Sequence, residues 1–134
     1  MAGETNLEKL LRSMKPELNA GEYVFCTVDS SKRATALNPV CMFQELEAVT
    51  VILSKHQADD ASLPYSTVCA WITLTVHSSL EAVGLTAAVS KALTDANISC
   101  NVVAAYYHDH IFVPVKDTTQ AINMLVNLTR QANP

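Results

Sequence analysis

The fold is decided by residues 80–100, which read LEAVGLTAAVSKALTDANISC. Gly84 suits the start of a helix, because it lets the backbone take a conformation that other residues resist. Residues 85–96 then repeat apolar side chains at helical spacing, which predicts an amphipathic helix. The preceding run, residues 68–76, reads VCAWITLTV and predicts a strand covered on at least one face. The apolar stripe of the helix is formed by Leu85, Val89, Ala92, Leu93 and Ala96.

Strands and a helix also follow one another after residue 97. Strands are predicted at residues 98–106 and 111–115, with the polar residues His108-Asp109-His110 as a short link between them. Residues 118–131 close the chain as a second amphipathic helix. The order strand, helix, strand, strand, helix is that of a ferredoxin-like βαββαβ unit without its last strand.

The first half has a less regular pattern. Thr5 and Glu8 form a possible capping box for a helix at residues 6–14, which Pro16 ends. The polar stretch 56–64 is predicted as a connection or a single helical turn, and we place the boundary between two halves, 1–64 and 65–134, here. The remaining predictions are a strand at 23–28, a turn-rich loop at 29–39, a short helix at 40–45 and a strand at 49–53.

Composition restricts the class of protein. The chain has 134 residues, of which 49% are apolar and 16% are charged, which is enough to build a core. The net charge is −4 and nine Lys and Arg residues are scattered, so no basic footprint for nucleic acid is predicted. We expect no membrane-spanning segment and no secretory signal, and therefore a cytoplasmic protein. The spacing of the four cysteines fits no metal or redox motif and predicts free thiols.

Residues 80–100 resemble the signature of ACT domains, with Gly84-Leu85 opening the helix and Asn97-Ile98-Ser99 leading into the next strand. Residues 106–113, YYHDHIFV, resemble the aromatic-x-x-Asp-x-Ile-x-Val hairpin of ACT proteins related to cytosolic amino-acid sensors. The first half resembles, more loosely, the companion segment of small bacterial ACT-like proteins.

The resemblance implies an α+β fold with an antiparallel sheet and helices on one face, built from a tandem or compound pair of ACT-like halves. It also implies a regulatory module that binds a small molecule, usually an amino acid. Because no catalytic or DNA-binding domain is attached, such a module would act in trans. The expected assembly is a homodimer, and neither a cofactor nor a catalytic activity is expected.

The loop from Val76 to Gly84 is the first candidate site. A helix N-terminus offers unpaired N–H groups to the carboxylate of an amino acid. An alternative explanation is that Ser78 and Glu81 form only a capping box, with no ligand. The candidate ligand residues in this segment are Ser78, Ser79, Val83, Gly84 and Leu85.

The hairpin is the second candidate site. The resemblance places Asp109 near the ligand, where a carboxylate can accept a hydrogen bond from an amine. His108 is a candidate ligand contact, and its i, i+2 spacing to His110 also suits a metal pair, although no third ligand is evident and turn residues explain both. Asn101 is either a ligand contact or a buried amide within a central strand. No metal site is assigned.

A rival interpretation is a protein–protein interaction or structural module without a small ligand. In that case the ACT-like unit uses a sheet edge to pair with another protein. Trp71 is expected in a core or an interface rather than as a stacking platform. No P-loop, dinucleotide-binding glycine motif or H-E-x-x-H motif occurs, which gives no support to an enzymatic activity.

Overall fold

A computed structural model describes residues 6–76 and 82–133. Helices and strands alternate along the chain. The helices are α1 (Leu7–Ser13), α2 (Ser31–Ala36), α3 (Lys55–Asp60), α4 (Leu85–Asp95) and α5 (Thr118–Ala132), the last preceded by a 3-10 turn at Val115–Asp117. The strands are β1 (Pro16–Leu18), β2 (Tyr23–Val28), β3 (Cys41–Gln44), β4 (Val49–Ser54), β5 (Val68–Leu74), β6 (Asn101–Ala104) and β7 (Asp109–Pro114).

Contacts divide the chain into two compact units. Residues 20–69 form one of them, the inserted unit. Residues 1–19 and 70–134 form the other, the main unit. The chain thus leaves the main unit after Asn19 and returns to it at Ala70, within β5.

The inserted unit has the order β2, α2, β3, β4, α3 and the first residues of β5. Its strands are antiparallel in the order β3-β4-β2, and Tyr23 of β2 pairs with Cys69 of β5. Apolar residues of β2 and β4 alternate toward Ala34 of α2 and Ala58 of α3, as expected for a sheet covered on one face. These elements form a βαββαβ unit.

The main unit has its sheet in the order β1-β5-β7-β6. Residues of three helices and of the two central strands share one core, in which Leu10, Leu93 and Leu125 are fully buried. The short strand β1 pairs antiparallel with β5, with Leu18 opposite Ile72. The last strand that the sequence lacked after α5 is thus supplied by a segment before β2.

The predicted fold class is confirmed. Both units combine an antiparallel sheet with helices on one face, in the ferredoxin-like α+β arrangement. The predicted strand at 23–28 and the helix following Gly84 are observed, as is the C-terminal helix. Within residues 6–76 and 82–133, no helix combines the length and the apolarity that crossing a bilayer requires.

Several local predictions were wrong. The loop predicted at 29–39 contains α2, because Ser30 caps a helix by accepting a hydrogen bond from the Arg33 amide. The helix predicted at 40–45 is strand β3, because these residues pair with β4. The strand predicted at 98–106 is shorter, at Asn101–Ala104. Finally, β7 begins at Asp109, so Asp109 and His110 belong to a strand rather than to a link.

Candidate functional site

The turn between β6 and β7 lies beside the end of β5. The Nδ1 atom of His108 is 3.4 Å from the carbonyl oxygen of Val76. Val76 follows β5 and begins the candidate loop 76–84. The structure therefore brings the hairpin and the start of the loop together, two segments that lie 32 positions apart in the sequence. Ser78 and Ser79 lie outside the described residues.

Asp109 is a buried carboxylate at the start of β7. Its side chain is 8% exposed, and alternation along the strand places it on the same face as the core residues Ile111 and Val113. Burial raises the pKa of the Asp109 carboxyl, and the neighbouring His110 and His108 oppose this shift. The hydrogen bonds seen among residues 6–76 and 82–133 do not include one to this carboxylate, and its oxygens are not among fully buried, unpaired atoms.

The start of α4 offers hydrogen-bond donors. Gly84 is the N-cap with a φ of +102°, and within the described chain no side chain caps this helix. The amide of Ala88 is the first to bond within the helix, to the carbonyl of Gly84. The amides of Leu85, Thr86 and Ala87 precede this bond and have no acceptor within the helix, and the helix dipole favours an anion at this end.

The predicted ligand residues of this segment differ in exposure. Val83 is 82% exposed, whereas the Leu85 side chain is buried in the core of the main unit. Leu85 can therefore contact a ligand only through its backbone N–H. The neighbouring hairpin presents two further exposed apolar groups, since Tyr106 and Tyr107 are 57% and 64% exposed and their rings meet edge to face.

Asn101 does not fit one of its two interpretations. It is exposed on β6, which is the edge strand of the main unit, so the prediction of a buried amide in a central strand was wrong. The sequence could not reveal this, because strand order depends on pairing between distant segments. Asn101 stays a predicted ligand contact.

A hydrogen-bonded network on the other face of the main-unit sheet escaped the sequence analysis. Trp71 Nε1 donates to His110 Nδ1 over 3.0 Å, and Thr73 Oγ1 lies 3.1 Å from the same nitrogen. The side-chain amide of Asn19 donates to Thr73 Oγ1 over 2.9 Å and to the Trp71 carbonyl over 3.2 Å. The only available signal was the alternation of Trp71 with Thr73, which shows a shared face but not a partner.

The two histidines that were considered as a metal pair have different hydrogen-bond partners. His108 contacts the Val76 carbonyl, and His110 accepts from Trp71. Among residues 6–76 and 82–133, no group of three or more His, Cys, Asp or Glu side chains could hold a metal ion.

A groove of about 430 Å³ lies between α4 and α5, away from these residues. It is mostly apolar, and its charged groups, Lys91 and Asp95, already form an ion pair of 2.7 Å. None of the predicted ligand residues that the structure describes lines this groove.

The sequence matches models of the ACT domain at residues 2–70 and at residues 66–127, one for each half of the chain. The chain belongs to the ACT-domain family. ACT domains are regulatory modules for small ligands, and this ACT-domain protein is a regulatory module of that type.

Solved structures agree with this assignment. The ACT-domain protein is 48% identical to a Vibrio cholerae protein of unknown function, named as a possible transport protein, over 92% of this chain and 95% of that one, with a TM-score of 0.84. It also resembles the regulatory subunit of aspartate kinase from Thermus thermophilus, at 8% identity, 88% and 97% coverage and a TM-score of 0.64. An Agrobacterium tumefaciens protein matches at 16% identity, 87% and 89% coverage and a TM-score of 0.68. No curated protein sequence matches the chain.

Proposed function

We propose that this ACT-domain protein binds a free amino acid between the start of α4 and the β6–β7 hairpin, and that it regulates a partner in trans. The observation that carries the proposal is Asp109, a carboxylate that is 8% exposed at the start of β7 and whose pKa is raised by burial. A ligand ammonium group would supply hydrogen-bond donors and the opposite charge. Ser78 and Ser79 stay predicted donors of the same site.

The two ends of an amino acid have different partners in this proposal. Its carboxylate would accept hydrogen bonds from the first amides of α4, where Gly84 permits a close approach. Its ammonium would pair with Asp109. The exposed rings of Tyr106 and Tyr107 and the exposed Val83 would contact the ligand side chain, so they are the positions expected to set specificity.

Thermal unfolding in the presence of each of the common amino acids tests this proposal. A ligand present at about a hundred times its Kd adds about 2.7 kcal/mol to the free energy of unfolding, which raises the Tm by several degrees. We expect one amino acid, or one chemical class, to raise the Tm. A Tm that no amino acid changes would contradict the proposal.

Two variants assign the binding to Asp109. Asp109→Asn removes the charge with little change in shape, and we expect the affinity measured by calorimetry to fall about tenfold or more. Asp95→Asn is the matched control, because Asp95 is an exposed carboxylate of the same unit, 63% exposed and paired with Lys91. An Asp109→Asn protein that binds as tightly as the wild type would remove Asp109 from the site.

The lack of catalysis, the cellular location and the assembly of the module are part of the same proposal. We propose that it is not catalytic, that it works in the cytoplasm and that it forms a homodimer. Sedimentation of the purified protein with and without the amino acid tests the homodimer, and a sedimenting monomer under both conditions would contradict it.

The second candidate function is binding to another protein, and the strand β3 favours it. Four large apolar side chains in and around this edge strand are exposed. An exposed apolar edge is a template for strand pairing. The four side chains and their exposed fractions are Val40 at 42%, Met42 at 45%, Phe43 at 68% and Leu46 at 103%.

A substitution on this edge separates the two functions. Phe43→Lys adds a charge on β3, in the inserted unit, and leaves every residue of the proposed amino-acid site unchanged. If the protein acts mainly through β3, Phe43→Lys will abolish capture of its partner from cell extract while amino acids leave the wild-type Tm unchanged. If it senses an amino acid, Phe43→Lys will keep the ligand-induced rise in Tm.

A further inference from the structure

The network around His110 fixes the protonation state of that imidazole. The indole N–H of Trp71 can only donate a hydrogen bond, so His110 Nδ1 must accept it and carry no proton. The Thr73 hydroxyl accepts from Asn19 and is therefore free to donate its own proton to the same Nδ1. His110 is consequently the neutral tautomer with its proton on Nε2.

The same contacts attach the start of β7 to β5 and to the residue that follows β1. His110 lies on β7, Trp71 and Thr73 lie on β5, and the side chain of Asn19 bonds to both of those β5 residues. Asp109 is the immediate neighbour of His110 and points to the opposite face of the strand. A displacement of His110 therefore moves the backbone that carries Asp109.

We propose that His110 is a positioning residue for Asp109: its hydrogen bonds with Trp71 and Thr73 hold the start of β7, and protonation of His110 breaks the bond from Trp71 and weakens ligand binding. The effect on affinity rests on the proposed function, whereas the hydrogen bonds can be tested without any ligand. In the imidazolium both ring nitrogens carry a proton, so Nδ1 can no longer accept from the Trp71 indole.

The charges around His110 support this proposal. Burial and the neighbouring His108 lower the pKa of His110, and the Asp109 carboxylate opposes them. On β5 and β6 the described residues beside His110 are the uncharged Trp71, Thr73 and Val103. Among the described residues of β1, β5, β6 and β7 on this face, the remaining charged side chain is Glu17, which lies on β1 opposite Thr73. His110 is thus neutral at neutral pH, and mild acid is required to charge it.

Trp71 reports on the network, because it is the one tryptophan of the chain. We expect its fluorescence to change as the pH is lowered from neutral to mildly acidic, with a midpoint below the ordinary histidine value of 6.5. NMR of the imidazole nitrogens should give the Nε2–H tautomer at neutral pH. The opposite tautomer, or a fluorescence that does not follow the His110 titration, would overturn the proposal in the unmodified protein.

Two substitutions separate positioning from general stability. His110→Asn retains an oxygen acceptor near the position of Nδ1 but does not titrate, whereas His110→Leu removes the acceptor. We expect His110→Asn to abolish the pH dependence of Trp71 fluorescence and to keep the wild-type backbone NMR shifts of Asp109 at neutral pH. We expect His110→Leu to change those shifts at neutral pH. His56→Asn is the control, since His56 is 85% exposed on α3 of the inserted unit.

Affinity is measured with the same proteins and the panel of common amino acids. The wild type should lose about tenfold in affinity on acidification, His110→Asn should lose less, and His110→Leu should be weakened at every pH. A His110→Leu protein with wild-type affinity and unchanged Asp109 backbone NMR shifts would overturn the proposal. If no amino acid binds the wild type, the proposed function fails, while the fluorescence and the Asp109 backbone shifts still decide the role of His110.

Discussion

The Cδ2 atom of Leu7 lies 3.0 Å from the position that a Cβ atom would take on Gly84. Leu7 begins α1 and Gly84 is the N-cap of α4, so the first turn of one helix packs against the start of the other. Gly84 also has a φ of +102°, a conformation that residues with a Cβ rarely adopt. Backbone conformation and packing therefore both require glycine beside the proposed ligand site.

Replacing this glycine should destabilise the protein. We expect Gly84→Ala to lower the free energy of unfolding by about 2–3 kcal/mol, because the strained φ and the overlap with Leu7 add together. Urea denaturation followed by circular dichroism measures the loss.

Gly21→Ala is the matched control. Gly21 has a φ of +95°, but the nearest atom to a Cβ there, Tyr23 Oη, is 3.8 Å away. Its replacement should cost only the conformational part, about 1 kcal/mol. If the two substitutions lower the free energy of unfolding by the same amount, the packing of Leu7 on Gly84 does not contribute to stability. The double variant Leu7→Ala/Gly84→Ala should cost less than the sum of its two single changes.

Asp109 should make stability depend on pH in a defined direction. Its folded-state pKa lies above the ordinary value of 3.8, so the folded protein binds this proton more tightly than the unfolded chain. The contribution of Asp109 is therefore most favourable below that value and declines as the pH rises through the folded-state pKa.

Asp109→Asn removes this titration. At neutral pH we expect its Tm to equal or exceed that of the wild type. The advantage should vanish in acid, near the ordinary pKa of an aspartate. Asp95→Asn, at an exposed carboxylate, should show no such gain. An Asp109→Asn protein that is clearly less stable at neutral pH would mean that the carboxylate has a stabilising partner.

The four thiols should differ in reactivity. Cys41 lies on the edge strand β3 and is partly exposed, whereas Cys26 and Cys69 are buried. Burial also raises the pKa of the thiols of Cys26, Cys69 and Cys100, which reduces their thiolate fraction. We expect a disulfide reagent to modify Cys41 first, as identified by mass spectrometry of the peptides.

The variant Cys41→Ser checks this assignment, because it should remove the fast phase and leave the slow reactions unchanged. Rapid labelling of Cys26 in the native protein would show that the core of the inserted unit opens more often than its burial implies.

Part of the candidate site followed from the sequence and part did not. Gly84 was predicted because it opens a helix, and Asp109 because residues 106–113 resemble the hairpin of ACT proteins. The sequence placed Asp109 in a polar link, whereas the structure places it in a strand with its side chain toward the core. Its burial and raised pKa could not be predicted, since both depend on packing by segments distant in sequence.

The amino-acid sequence by itself determined the elements with a clear period, such as β2 and α4, and the family to which the chain belongs. Their signal is local, because the direction of each side chain repeats with the backbone geometry. Tertiary structure decided that residues 41–44 form a strand, that β1 pairs with β5, and that Trp71 meets His110. Each of these depends on hydrogen bonds between segments that only the folded chain brings together, and no local pattern encodes such a partner.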